Sequence, residues 1–331
     1  MNRKNGIHKL FTLAFLLVTT VVVNAKDFYA PKADTPALLG RWDLIVMKGT
    51  KEAPSWLEVT HSGYRTLVGR FVGESGSARP ISIVNFKDGK FNFTIPPQWE
   101  MGTNNIVVEG TLQGDNLSGT LTNSDGKVYN WTGVRAPLLK RTKELVWSDP
   151  VPLFNGKDLS GWHASGATNQ WVAENGILKS PKSGANIVTD KKFDDFKLHV
   201  EFRYPKGSNS GVYLRGRYEV QIEDNKGMEP ALDFVGAVYG FLMPSEIASK
   251  GSGEWETYDI TLVGRMVTII MNGKTVISNQ QIPGPTGGAL DSKEGEPGPI
   301  LFQGDHGPIE YRNITIATPT NSRANVMNVK M

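Results

Sequence analysis

The chain has no cysteine, which excludes disulfides, thiolate nucleophiles, cysteine-rich metal sites and a lipid-anchored cysteine. Histidine is scarce, five in 331 residues, so a base that titrates near neutral pH has few places to sit. No stretch reaches the roughly 20 apolar residues that a spanning helix needs, and membrane insertion is not expected. An excess of one charge is missing as well. The 36 basic residues outnumber the 33 acidic ones by three, and Arg3, Lys4 and Lys9 near the N-terminus account for that difference. The rest of the chain is neutral overall, with no basic field for nucleic acid or an anionic membrane.

Those three cations precede an apolar run from Leu10 to Val23 that ends in Val23-Asn24-Ala25. This is the tripartite pattern of a secretory signal peptide, residues 1–25, cut after Ala25. It predicts a periplasmic or secreted chain that starts at Lys26 and is soluble after cleavage.

Helical periodicity over three turns is hard to find. Gly, Asn, Asp and Pro recur every 8 to 12 residues, and the segments between them alternate apolar and polar side chains. That pattern predicts an all-β protein. Asp88-Gly89, Asp125-Gly126 and Asn272-Gly273 each predict a hairpin closed by a two-residue type I′ turn. Residues 136 to 152 carry prolines at both ends and lack a strand pattern. They divide an accessory β domain, 26–140, from a second domain, 151–318, through a linker at 141–150, with a tail at 319–331. The first domain opens on Gly40-Arg41-Trp42 and continues as a meander, which suits a small calycin-like barrel or sandwich. About a dozen strands in the second suit a two-sheet jelly roll.

Candidate chemistry lies in the second domain. In the stretch from Gly298 to Ile316, Gln303, Gly304, Asp305, His306 and Gly307 interrupt the apolar pattern. The two glycines suit a tight connection with unusual backbone angles, delivering Asp305 and His306 at a strand end; the alternative is a hairpin tip with an ordinary surface histidine. In the segment Arg217–Glu223, Tyr218, Val220 and Ile222 point inward, which leaves Glu219, Gln221 and Glu223 on the opposite face. Arg215 shares the parity of Glu219, and Tyr213 lies beside it. Carboxylate, amide, guanidinium and aromatic groups on one face fit a saccharide groove. Glu201 reads either as part of such a face or as the ion-pair partner of Arg203 or Arg312.

The pieces LFNGKDLSGW, FDDFKLHVEFRYPKGSNSGVYLRGRYEVQIEDN, GEWETYDITLVG, MNGKTVI and GPILFQGDHGPIEYRNITI, in this order over residues 151–317, resemble the 3-keto-disaccharide hydrolase family. The resemblance implies a concanavalin-like jelly roll, a 3-keto-glycoside substrate and a functional link to a sugar 3-oxidoreductase. A ketone at C3 acidifies the C2 proton, so a base can remove it and the group on C1 can leave, with water adding afterwards. On that reading His306 is the base, oriented by Asp305, and Glu219 is the second acid/base group. Arg215, Gln221, Glu223, Gln303, Tyr213 and Glu201 are then substrate partners. No cofactor is required; a divalent cation held by Glu219, Asp305 or His306 would also stabilise an enolate, although these residues make no metal signature.

Two alternatives compete. The stretch EVQIE resembles the Glu-x-Asp-x-Glu strand of jelly-roll glucan hydrolases, which would make Glu219 and Glu223 nucleophile and acid, but Gln221 stands where the central acid belongs. A saccharide-binding protein without catalysis would use Trp162, Trp171 and Trp255 as platforms, unless these fill a core.

Overall fold

The alternation seen in the sequence becomes burial in the folded chain. Strand Lys90–Ile95 buries Phe91, Phe93 and Ile95, and strand Phe196–Arg203 buries Phe196, Leu198, Val200 and Phe202. The computed structural model describes residues 37–166 and 168–321 and the backbone of the short strand Val326–Met327. The expected signal peptide lies outside the described residues, as does most of the tail. Among the described residues every regular element is a strand.

The N-terminal part is a nine-stranded antiparallel sheet in the order Arg79–Ile81, Thr66–Val72, Lys51–Ser62, Gly40–Lys48, Val128–Arg135, Asn116–Thr122, Ile106–Gln113, Lys90–Ile95, Asn85–Lys87. It curls until Arg79–Ile81 lies against Lys90–Ile95. Trp42, Leu57, Phe71, Phe91, Phe93 and Trp131 fill the interior. This is the calycin-like barrel of the sequence analysis.

The C-terminal part is a jelly-roll sandwich. Its eight-stranded sheet runs Val172–Glu174, Ile177–Ser180, Ile309–Ala317, Phe196–Arg203, Glu256–Val263, Met266–Met271, Lys274–Gln281, with Val151–Pro152 also paired to Ile309–Ala317. The five-stranded sheet runs Trp162–Ser165, Asn186–Thr189, Leu301–Phe302, Asn209–Leu214, Tyr218–Glu223. Leu198, Val200, Val212, Leu214, Tyr218, Val220, Phe302 and Tyr311 pack between the sheets. Phe302 stacks on Tyr311 at 4.1 Å. Trp162 and Trp171 belong to this core, whereas Trp255 lies under the guanidinium groups of Arg203 and Arg312.

The hairpins at Asp88-Gly89 and Asn272-Gly273 form as expected, with positive φ at both central residues. Asp125-Gly126 does not close a two-residue turn. Residues 123–127 form a longer loop in which Asn123 and Lys127 pair through their backbones and only Gly126 takes a positive φ. A further type I′ pair at Asn175-Gly176 joins Val172–Glu174 to Ile177–Ser180.

Barrel and sandwich touch directly. Trp56 of the barrel packs edge-on against Phe241 at 5.3 Å, Ser292 Oγ donates to Leu44 O at 2.6 Å, and Gly288 N donates to Glu74 O at 2.8 Å. The long connection between Glu223 and Glu256 covers the edge of the five-stranded sheet: Gln221 N donates to Ala237 O and Tyr239 N to Glu219 O, both at 3.0 Å. These two coverings, one from the barrel and one from the connection, define the site.

Candidate active site

The site is built on the face of the five-stranded sheet that points away from the sandwich core. The register places Tyr213 opposite Glu219, Gly211 opposite Gln221 and Asn209 opposite Glu223, with Leu301 beside Tyr213 on the next strand. Because side chains alternate, Tyr218, Val220 and Ile222 enter the core and Glu219 and Gln221 take the other face. The Glu219 side chain folds back over Gly211, where an added Cβ would collide with its carboxyl oxygen and lie 2.9 Å from its Cγ. Glycine is needed here for space, not for its backbone angles.

Glu219 is almost fully buried. Its Oε2 accepts from the Tyr213 hydroxyl at 2.9 Å, its backbone N donates to Thr286 Oγ1 at 3.1 Å, and the Tyr213 hydroxyl also lies 3.0 Å from Gly287 O. Burial pushes the Glu219 carboxyl up to about 8, against the opposing pull of the Tyr213 hydroxyl and the His306 charge. Removing water penalises the charged form, so Glu219 carries a hydrogen at neutral pH. Burial, followed by the charge of Glu219, likewise holds the Tyr213 hydroxyl well above its ordinary range and keeps it a donor.

His306 is half exposed, and its Nδ1 is 2.6 Å from Asp305 Oδ1. A carboxylate can only accept, so Nδ1 carries the hydrogen and Nε2 is left as the basic nitrogen. The hydrogen bond to Asp305 raises the imidazole pKa, partial burial opposes this, and the charges of Asp305 and Glu219 add to the rise. Ser183 Oγ donates to the Asp305 backbone carbonyl.

The connection that carries this pair is not a hairpin tip. Leu301–Phe302 belongs to the five-stranded sheet and Ile309–Ala317 to the eight-stranded one, so residues 303–308 cross from one sheet to the other. Neither Gly304 nor Gly307 has a positive φ. Their role is close packing: a Cβ on Gly304 would run into Ala185 O and lie 2.8 Å from the Trp171 ring, and one on Gly307 would lie 2.6 Å from Ser208 Oγ.

The other expected site residues divide. Gln221 is buried beside Glu219, its Nε2 donates to Asp233 O at 3.1 Å, and its Oε1 has no partner. Gln303 hydrogen-bonds through its backbone N to Gly211 O, and its own Oε1 is buried and unpartnered. Two unmatched amide oxygens beside one glycine are unusual, since buried polar atoms are nearly always paired. Glu223 is partly buried, which raises its pKa.

Arg215 is not on this face. Arg215 and Gly216 both take positive φ, which breaks the parity assumed from the sequence. The Arg215 guanidinium donates to the Tyr218 hydroxyl at 3.0 Å and to Gly264 O at 2.8 Å, on the side of the strand opposite Glu219. Glu201 belongs to the other sheet, where it accepts from Arg312 at 2.6 Å and from Asn313 at 2.7 Å. It is an ion-pair partner and takes no part in the face around Glu219.

Tyr239, Thr286, Gly287 and Asp233 were not anticipated. They come from irregular connections, where no alternation marks a direction. Among the described residues, no three acidic, imidazole or thiol groups gather as a cation cage. The Glu219 to Glu223 pair of a retaining hydrolase is also disfavoured. The ladder from Asn209↔Glu223 to Leu214↔Tyr218 is unbroken, so the two residues stand about 13 Å apart along the strand at ~3.3 Å per residue, and only side chains leaning toward one another could reach the ~5.5 Å of such a pair.

A 30% identical segment of 89 residues is shared with a 3-keto-disaccharide hydrolase of Bacteroides thetaiotaomicron; it covers 23% of this chain and 30% of that protein. Two crystal structures from Parabacteroides distasonis, both provisionally assigned as glycosyl hydrolases, are similar. One is 32% identical with a TM-score of 0.43, covering 51% of this chain and 83% of the other. The second is 26% identical with a TM-score of 0.41, covering 52% and 100%. The family model of the 3-keto-alpha-glucoside-1,2-lyase-like domain matches residues 149–317, the sandwich that carries Glu219 and His306, and the chain belongs to that family of carbohydrate-active proteins.

Proposed function

We propose that the chain is a secreted enzyme that breaks the C1–O bond of 3-keto-glycosides by first removing the proton on C2. The observation that carries this reading is the joint placement of a buried Glu219 that keeps its hydrogen at neutral pH and an Asp305-His306 pair with a basic Nε2. His306 Nε2 takes the C2 proton, and the electrons pass to the C3 oxygen as an enolate. As the ketone re-forms, C1=C2 forms and the C1–O bond breaks, with Glu219 giving its hydrogen to the departing oxygen. Water then adds to C1, its proton going to the Glu219 carboxylate, while the imidazolium returns a proton to C2. If the unsaturated sugar is released first, the same site acts as a lyase.

Both pKa values are raised, that of Glu219 by burial to about 8 and that of His306 by its hydrogen bond to Asp305, which keeps a hydrogen on the acid at neutral pH. The Oε1 atoms of Gln221 and Gln303, two of several buried side-chain atoms without a partner, are acceptors of the kind that sugar hydroxyls match. The ketone has to be installed by oxidation at C3, so a sugar 3-oxidoreductase belongs upstream. Export follows from the cationic and apolar N-terminal pattern.

The test is turnover of a 3-keto-α-glucoside by the purified protein, with hydrogen or deuterium at C2. The reading expects slowing by deuterium or exchange of C2 with solvent, and inertness of the unoxidised glucoside. Equal cleavage of the unoxidised compound without an isotope effect would overturn it.

A further inference from the structure

A cleft of about 390 Å³ opens between barrel and sandwich, lined by Ser77, Gln98 and Trp99 of the barrel and by Leu232, Asp233 and Tyr239 of the sandwich. That volume lies within the usual range for a small-molecule site, roughly 300–1,000 Å³. The barrel wall is rigidly made. Gln98 Nε2 donates to Ser77 Oγ at 2.9 Å and Gln98 Oε1 accepts from Ser77 N at 3.1 Å. Glu100 accepts from Gln98 N at 2.8 Å and pairs with the buried Arg79 at 3.0 Å. Trp99 nevertheless remains 73% exposed, its ring against Gly76, where a Cβ would lie 2.9 Å from Cδ1. An indole this exposed at the mouth of a cleft offers a flat apolar face of the kind on which a pyranose ring stacks.

The cleft adjoins the acid of the proposed reaction. Tyr239 N donates to Glu219 O at 3.0 Å, and Asp233 O accepts from the amide of Gln221. The barrel loop packs against the same wall: a Cβ on Gly287 would run into Gly76 O, and one on Gly240 would lie 2.7 Å from Ser77 Cβ. Gly287 O in turn contacts the hydroxyl of Tyr213 that holds Glu219. Tyr239 thus links cleft and site: it lines the cleft and its hydroxyl lies within electrostatic reach of the Glu219 carboxyl, which itself does not line the cleft.

We infer that this cleft is a second sugar subsite, in which the pyranose ring attached at C1 of the substrate stacks on Trp99 and hydrogen-bonds to Asp233 and Gln98. The inference rests on the reaction proposed above only for the direction in which the substrate lies. It gives the barrel, which lies outside the matched family domain, a direct part in choosing the leaving group. A planar aromatic face and a carboxylate are what the faces and hydroxyls of a pyranose require.

The test compares maltose with methyl α-glucoside, each unoxidised for binding by calorimetry and as its 3-keto form for turnover. Trp99→Ala should weaken maltose binding and raise KM for 3-keto-maltose about tenfold, the scale of one stacking contact, with kcat held within twofold. Methyl α-glucoside should be indifferent to the substitution in both assays. Trp99→Phe should recover most of the loss, and an unchanged melting temperature checks the fold. Equal effects on both sugars, or none on maltose, overturn the subsite while leaving the reaction intact. If no 3-keto sugar is turned over but maltose still binds in a Trp99-dependent way, the subsite stands and the reaction reading fails. Absence of maltose binding by the unmodified protein also overturns the subsite.

Discussion

Tyr213 and Glu219 face each other across the ladder of Asn209–Leu214 and Tyr218–Glu223, and the tyrosine hydroxyl donates to the glutamate at 2.9 Å. Between that hydrogen bond and the absent side chain of Gly211, the carboxyl is held in one place, cut off from water.

Gly211→Ala should displace the Glu219 side chain, because the new Cβ would occupy its carboxyl. The expected outcome is at least a hundredfold loss of kcat with a modest fall in melting temperature. A variant as active as the parent would show that Glu219 is not needed where it lies. Kinetics and thermal denaturation together distinguish this from unfolding.

Glu219→Gln should lose on the order of 10²–10⁴-fold in turnover. It also has a stability signature. The carboxyl titrates near 4.5 unfolded and about 8 folded, so its contribution to stability is fully present below pH 4.5 and is lost as pH rises to about 8. Relative to the parent, the glutamine variant should therefore gain stability across that window, by up to a few kcal/mol, as read by denaturant unfolding at several pH values. A pH-independent difference would contradict the buried, protonated state.

The pH profile of kcat/KM should be bell-shaped. Its acid limb reports His306 losing its proton, above the ordinary imidazole value of 6.5, and its alkaline limb reports Glu219 near 8. Asp305→Asn removes the largest cause of the His306 rise, so the acid limb should move to lower pH while kcat falls. An acid limb that stays in place would mean that another group is the base.

Glu223→Gln discriminates between mechanisms. A nucleophile in a glutamate pair would lose nearly all turnover, whereas a side chain that only touches substrate should cost no more than about tenfold. Glu201→Gln, on the other sheet with Arg312 and Asn313, should leave kcat/KM within twofold and lower the melting temperature slightly. These two substitutions assayed side by side separate the groove from the outer ion pairs.

The period of two in Tyr218–Glu223 was enough to put Glu219 and Gln221 on one face, since successive side chains in a strand point opposite ways whatever surrounds them. The hairpins at Asp88-Gly89 and Asn272-Gly273 were legible for a similar reason: both turn residues must take positive φ, which Asn or Asp followed by Gly tolerates. The motifs from Leu153 to Ile316 likewise carried the family and the jelly roll. Parity failed at Arg215, where two consecutive positive φ values at Arg215 and Gly216 turned the guanidinium toward Tyr218. It could not assign Glu201 to a sheet, because alternation names a face and not the layer to which it belongs. The protonation of Glu219 was beyond the sequence altogether, for it depends on burial and on Tyr213, His306 and Asp305, brought together from separate parts of the chain. Nor could local pattern place Trp99 beside Tyr239, about 140 residues away in the chain, since pairing of such distant segments is decided by the packing of barrel on sandwich and by no short-range preference.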